Sequence, residues 1–102
     1  MYVDLTLGRA AVRQADDLKS LSVKAAGGHA DAAVLGGLGE PSADGAHVWL
    51  DVPALREAAA ATIDPAGRAD WLVGFDGMIA YATSKGWTDD QGRVRAHVEA
   101  AP

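Results

Sequence analysis

Midway along the chain the hydrophobic pattern changes character within three residues, and this change limits the fold more than any other feature. His47-Val48-Trp49-Leu50-Asp51-Val52 carries two β-branched residues and a tryptophan, a composition that suits a strand. Pro53 follows at once. A proline costs nothing in the first turn of a helix, where its missing N–H would have no partner, so Asp51 or Val52 caps a helix that begins here. That helix is expected to run from about Pro53 to Ile63, because Pro65 disfavours helical geometry at Asp64. Asp64-Pro65 is itself a cap followed by a first-turn proline, a good restart. A chain that passes directly from strand to helix in this way belongs to a mixed fold. With 102 residues it can fill one core, so residues 1–102 are read as a single α+β domain.

The other elements are read outward from this point. Tyr2-Val3-Asp4-Leu5-Thr6-Leu7 alternates as a strand and stops at Gly8. Residues 9–26 place Val12, Ala15, Leu18, Leu21 and Ala25 at helical spacing, which favours a helix. A rival reading takes Leu21-Ser22-Val23-Lys24-Ala25 as a strand by its period of two, so residues 21–26 stay open. Ala30–Leu38 is a short apolar run, and Gly39-Glu40-Pro41-Ser42-Ala43-Asp44-Gly45 is dense in turn formers. With the strand at 47–52 these suggest an antiparallel hairpin with a long tip.

The last helix has an apolar arc of Trp71, Leu72, Phe75, Met78, Ile79, Tyr81 and Ala82. It should end at Lys85-Gly86, the glycine taking a left-handed C′ position and Trp87 folding back on Ala82 as a structural plug. Gly74 and Gly77 flank Asp76 in mid-helix, where each costs about 1 kcal/mol against alanine, so close backbone packing is inferred. Asp76 itself is expected to be solvated. Residues 89–99 admit two readings. Arg93-Val94-Arg95-Ala96-His97-Val98-Glu99 alternates as a half-exposed strand, whereas Thr88-Asp89-Asp90-Gln91 has the form of a capping box. Strict alternation favours the strand. The order is then β-α-β-β-α-α-β, that of a ferredoxin-like two-layer sandwich, with an antiparallel sheet and its helices on one face.

Composition removes several classes of function. Without a cysteine there is no disulfide framework, thiolate nucleophile or thiolate zinc site, which fits a reducing cytoplasm. The start lacks the basic and apolar regions of a signal peptide, and no run approaches a membrane span. The net charge of −5 gives no counterion-release term for nucleic acid and no attraction to an anionic membrane. No Lys or Arg lies between Lys24 and Arg56, where Asp31, Glu40, Asp44 and Asp51 concentrate the acidity.

Motifs are few. His29, His47 and His97 have no metal-ligand spacing, so no metal or other cofactor is assigned. Gly36-Gly37-Leu38-Gly39 leads into the acidic turn Glu40-Pro41 instead of a helix N-terminus, which argues against a phosphate cradle. The serines sit in no nucleophile elbow, and Asp16-Asp17 and Asp89-Asp90 read as solvated pairs. None of these residues carries a resemblance to a known family. Three functions stay in view. The first is a non-catalytic, self-associating regulatory module, a homo-oligomer closed over the open sheet face or the aromatic segment Trp71–Trp87. The second is a ligand-binding protein or enzyme of the dimeric α+β barrel kind, with a pocket near His47 and Trp49 that Tyr81 and His97 would also line. The third is an accessory protein whose acidic 31–51 segment docks on a basic protein partner.

Overall fold

In the computed structural model, which describes residues 1–101, the chain forms six strands and three α-helices. The strands are β1 (Tyr2–Asp4), β2 (Ala11–Arg13), β3 (Ser22–Ala26), β4 (Gly39–Pro41), β5 (His47–Asp51) and β6 (Arg93–Ala101). The helices are α1 (Ala32–Leu35), α2 (Val52–Ala60) and α3 (Arg68–Ser84), with single 3₁₀ turns at Gly36–Leu38 and Pro65–Gly67. All six strands join one sheet in the order β2-β1-β3-β6-β5-β4. β1 and β3 run parallel, as do β3 and β6, and the remaining pairs are antiparallel.

The α+β class is as expected, but the ferredoxin-like topology is not: strand number, strand order and the two parallel pairings all differ. Two misread segments account for this. Residues 9–20, expected as a helix, form β2 and a loop, and residues 21–26, left open between helix and strand, supply β3. Val23 and Ala25 are buried while Ser22 and Lys24 are half-buried on the opposite face, so the period of two prevails, reinforced by pairing with β1 and β6 on either side. Ala15 and Leu18 still turn inward from the loop, which is why the spacing imitated a helix. Residues 30–38, expected as a hairpin strand, begin with a helical turn because the Asp31 carboxylate accepts a hydrogen bond from the Ala33 N–H at 2.8 Å. The hairpin exists, but its first strand is only Gly39–Pro41.

Other sequence signals are realised as read. Asp51 caps α2 by accepting from the Ala54 N–H, and Pro53 lies in the first turn, although the helix stops at Ala60 and not Ile63. β6 confirms the strand reading of 93–99 and extends to Ala101. At the end of α3 the Trp87 N–H donates to the Ala82 carbonyl (3.0 Å) and the Gly86 N–H to that of Thr83 (3.1 Å), while Gly86 has φ of 76°. This is a Schellman cap.

One core lies between sheet and helices. Val3, Val23, Val48, Leu50, Val94, Ala96 and Val98 face Leu35, Leu55, Trp71 and Phe75 across it. The single buried polar link of note is the Trp71 indole N–H, which donates to the Ala15 carbonyl at 2.6 Å and ties the loop before β3 to α3. Gly74 lies where the same loop crosses the helix: a Cβ there would come within 2.6 Å of Leu18 Cδ1. Gly77 has no neighbour within 4 Å of such an atom, so close packing explains one of the two helix glycines.

Candidate functional site

The uncovered sheet face is built by the alternate residues of each strand. Register sets Arg13, Tyr2, Ser22, His97 and His47 in one row, with Trp49 opposite Arg95 and Asp51 opposite Arg93. His47 and Trp49 therefore share a face, as their spacing requires. The His47 and His97 rings meet edge to face with centroids 5.6 Å apart. His47 Nδ1 lies 2.9 Å from Asp44 Oδ2. Asp44 is the organiser of the hairpin tip: it accepts from the Ser42 hydroxyl and from the Ala46 N–H (2.9 Å) as well. These contacts, the Ser42 hydrogen bond foremost, hold its carboxyl well below the usual carboxylate range.

Trp49 serves a second cluster. The Arg93 guanidinium lies 5.9 Å from its ring centroid and pairs with Asp89 (2.7 Å) and with Glu40. Burial works to raise the Asp89 pKa, but hydrogen bonds from the Arg93 N–H and side chain and from the Gln91 N–H outweigh it and leave the carboxyl lowered. The four acids of the 31–51 segment are thus all engaged within the molecule: Asp31 and Asp51 cap helices, Glu40 meets Arg93, and Asp44 closes the hairpin.

Tyr81 stands elsewhere, on the helical layer. It borders a cleft of about 640 Å³ between the C-terminal half of α3, the Leu18–Leu21 loop and the start of β6. Leu18, Leu21, Met78 and Ile79 are half-buried apolar residues that line it, and Val94 reaches it from the core. Tyr81 and Trp87 form a wall, their rings edge to face with centroids 6.0 Å apart. Both remain exposed, Tyr81 at 57% and Trp87 at 40%. Trp87 occupies the cap position expected of a plug, yet it is partly free. Lys19 and Arg95 also line the cleft, and Lys85 Nζ stands 5.5 Å from the Tyr81 ring centroid.

Of the four residues the sequence singled out, the structure therefore brings His47, Trp49 and His97 to one sheet face and Tyr81 to a different place. The cleft is lined by none of the first three. Sequence reasoning missed Lys19, Leu21, Trp87 and Arg95 as neighbours, because the expected helix over 9–26 displaced the loop that carries the first two. Among the described residues no group of three or more His, Asp or Glu side chains converges as a metal site. No helix among them is long and apolar enough to cross a membrane. Comparison with protein-family models, with curated proteins and with solved structures gives no match for this chain.

Proposed function

We propose that this protein is a non-catalytic binding module and that the cleft beside Tyr81 and Trp87 is where it binds. One observation carries the reading: the cleft pairs an apolar floor with two exposed aromatic rings held in fixed contact. Its volume falls in the range of small-molecule sites, and Trp and Tyr suit a surface that must be apolar yet tolerate water until it is covered. This reading prefers the helical layer to the pocket expected near His47 and Trp49. The absence of cysteine suits work in the cytoplasm.

The test uses two fluorescent probes that share one aromatic body, anilinonaphthalene sulfonate and its uncharged parent phenylnaphthylamine. At least one should bind saturably, and Trp87→Ala and Tyr81→Ala should each weaken it by about threefold to tenfold, the worth of one aromatic contact. Binding of neither probe, or binding indifferent to both substitutions, would overturn the proposal.

A second reading is self-association, favoured by the exposure of Val73 (74%) on the same helix as Tyr81. Exposed apolar side chains near one another commonly mark a contact surface. The open sheet face is a weaker candidate for such a contact, since Arg13, Lys24, Arg95 and Glu99 populate it. Sedimentation at high micromolar concentration should then show a dimer that Trp87→Ala dissociates, and a strict monomer would dispose of the idea.

A further inference from the structure

We infer that His47 and His97 form a chelating site for one divalent ion of the nickel, copper and zinc group, on the open sheet face and apart from the cleft. The two lie far apart in sequence and show no ligand spacing there, but β5 and β6 set them directly opposite one another. The Val98 N–H donates to the Ala46 carbonyl at 2.9 Å, one step beyond the two histidines. They therefore occupy a non-hydrogen-bonded position of the ladder, where facing side chains stand closest. Their ring centroids lie 5.6 Å apart. An ion bound at about 2.1 Å to one nitrogen of each ring would set the centroids roughly 4.5–5.5 Å apart. His97 is exposed, so a small turn of its ring closes the difference.

Asp44 decides which nitrogen of His47 is offered. Its Oδ2 lies 2.9 Å from Nδ1, and an ionised carboxylate only accepts, so Nδ1 carries the proton and Nε2 keeps its lone pair for a ligand. A carboxylate behind a metal-binding histidine fixes the tautomer and makes the imidazole a better donor. The surrounding charges tolerate a cation. Asp44 and Glu99 flank the pair toward the hairpin tip and Arg95 stands on its other side, with Ser22 beside His97 in the row. Lys24, opposite Glu99, places its Nζ 4.1 Å from the Tyr2 ring centroid. Two imidazole donors also select the ion, because magnesium and calcium prefer oxygen ligands. No third His, Asp or Glu completes a cluster among the described residues, so water fills the remaining positions. His29, exposed in the turn after β3, lies outside this pair and serves as the internal control.

Titration calorimetry of the untagged chain with Ni²⁺ tests this, at a pH above the ordinary imidazole pKa of about 6.5. Binding should be saturable, and Mg²⁺ should give none. Once one ring holds the ion the second bond is intramolecular, so His47→Asn and His97→Asn should each weaken binding by about a hundredfold or more. The double variant should bind no more weakly than either single one, because a chelate is lost whole. His29→Asn should bind as the parent does. Ni²⁺ should raise the thermal midpoint of the parent and of His29→Asn but not of the two pair variants, whose metal-free midpoints report that the fold is intact. Loss of binding in only one of the pair variants would mean a lone histidine and would overturn the inference, as would equal loss in His29→Asn or no saturable binding at all. Naphthylamine probe binding at the cleft is read separately, so neither result decides the other.

Discussion

Two glycines three residues apart in α3 are a direct test of how tightly the loop before β3 packs. Both lack the Cβ that stabilises a helix interior, but only Gly74 has a neighbour in the way, Leu18 Cδ1 at 2.6 Å. Gly77→Ala should stabilise the fold by about 1 kcal/mol, the ordinary propensity gain. Gly74→Ala should return less than that, because the Leu18 methyl must move to make room. Chemical denaturation of the two variants side by side checks the difference, and equal gains would show that the loop does not press on the helix. Since Leu18 also lines the cleft, Gly74→Ala should perturb probe binding and Gly77→Ala should not. Trp71 holds the same loop through a different bond. Trp71→Phe keeps much of the ring but strands the Ala15 carbonyl that the indole N–H satisfies, at an expected cost of about 1–3 kcal/mol. A loss below a few tenths of a kcal/mol in the same denaturation measurement would mean that water replaces the indole without penalty.

At the scale of elements, the junction of α2 and α3 is held by one side chain. Arg68 donates from Nε to the carbonyl of Ala60 (3.0 Å), the last residue of α2, which also accepts from the Ile63 N–H, and from Nη2 to the carbonyl of Ile63 (2.9 Å) in the turn that follows. Arg68→Ala should cost about 2 kcal/mol, and Arg68→Lys should recover only part, because an ammonium cannot fork to both carbonyls. Thermal unfolding of the pair measures this; full rescue by lysine would argue for charge and against geometry. This junction also shows what kind of information the chain's sequence makes readable. Local rules worked at three places where the controlling partners are adjacent in sequence, namely Asp51-Val52-Pro53 starting α2, Asp64-Pro65 starting the next turn, and Gly86-Trp87 closing α3, but the equally local cap of Asp31 on Ala33 was missed. They failed where the decision belongs to distant partners. Residues 21–26 satisfy both a helical and an alternating pattern, and what selects the strand is pairing with β1 on one side and β6 on the other. The cleft was hidden for the same reason. Of its lining only Tyr81 was legible as a site residue, with Trp87 read as a plug, and Lys19, Leu21 and Arg95 meet them only once the topology has brought 18–21 and 94–95 to the end of α3.

For the whole molecule, the distribution of carboxylates predicts how stability responds to acid. Asp4, Asp17, Asp44, Asp76 and Asp89 all have pKa values lowered from the ordinary Asp range, through different partners. Thr6 donates to Asp4 from hydroxyl and backbone, the Lys19 N–H to Asp17, Ser42 to Asp44, and Arg56 to Asp76. Asp89 is lowered in spite of its desolvation by the Arg93 and Gln91 donors. The linkage has one sign for all five. A carboxyl whose folded pKa is below its unfolded value binds fewer protons in the folded state, so its stabilising effect is complete above the unfolded pKa of about 3.9 and is lost as pH falls toward the folded value. Stability should therefore hold on the way down to about pH 5, then drop steeply through about pH 4 to 2. These acids are mostly near the surface and their partners are spread over the loop before β3, the hairpin tip, the α2–α3 contact and the start of β6, so the loss should be distributed and not confined to one element. Asp44→Asn separates the contributions: it keeps an acceptor for the Ala46 N–H but cannot be protonated in this range. The variant should be less stable than the parent at neutral pH and should lose less on acidification, so that the two curves draw together as pH falls below the ordinary Asp range. Urea denaturation at a series of pH values reads both slopes, and parallel curves for the two proteins would show that the Asp44 hydrogen bonds to Ser42, Ala46 and His47 do not depend on its charge.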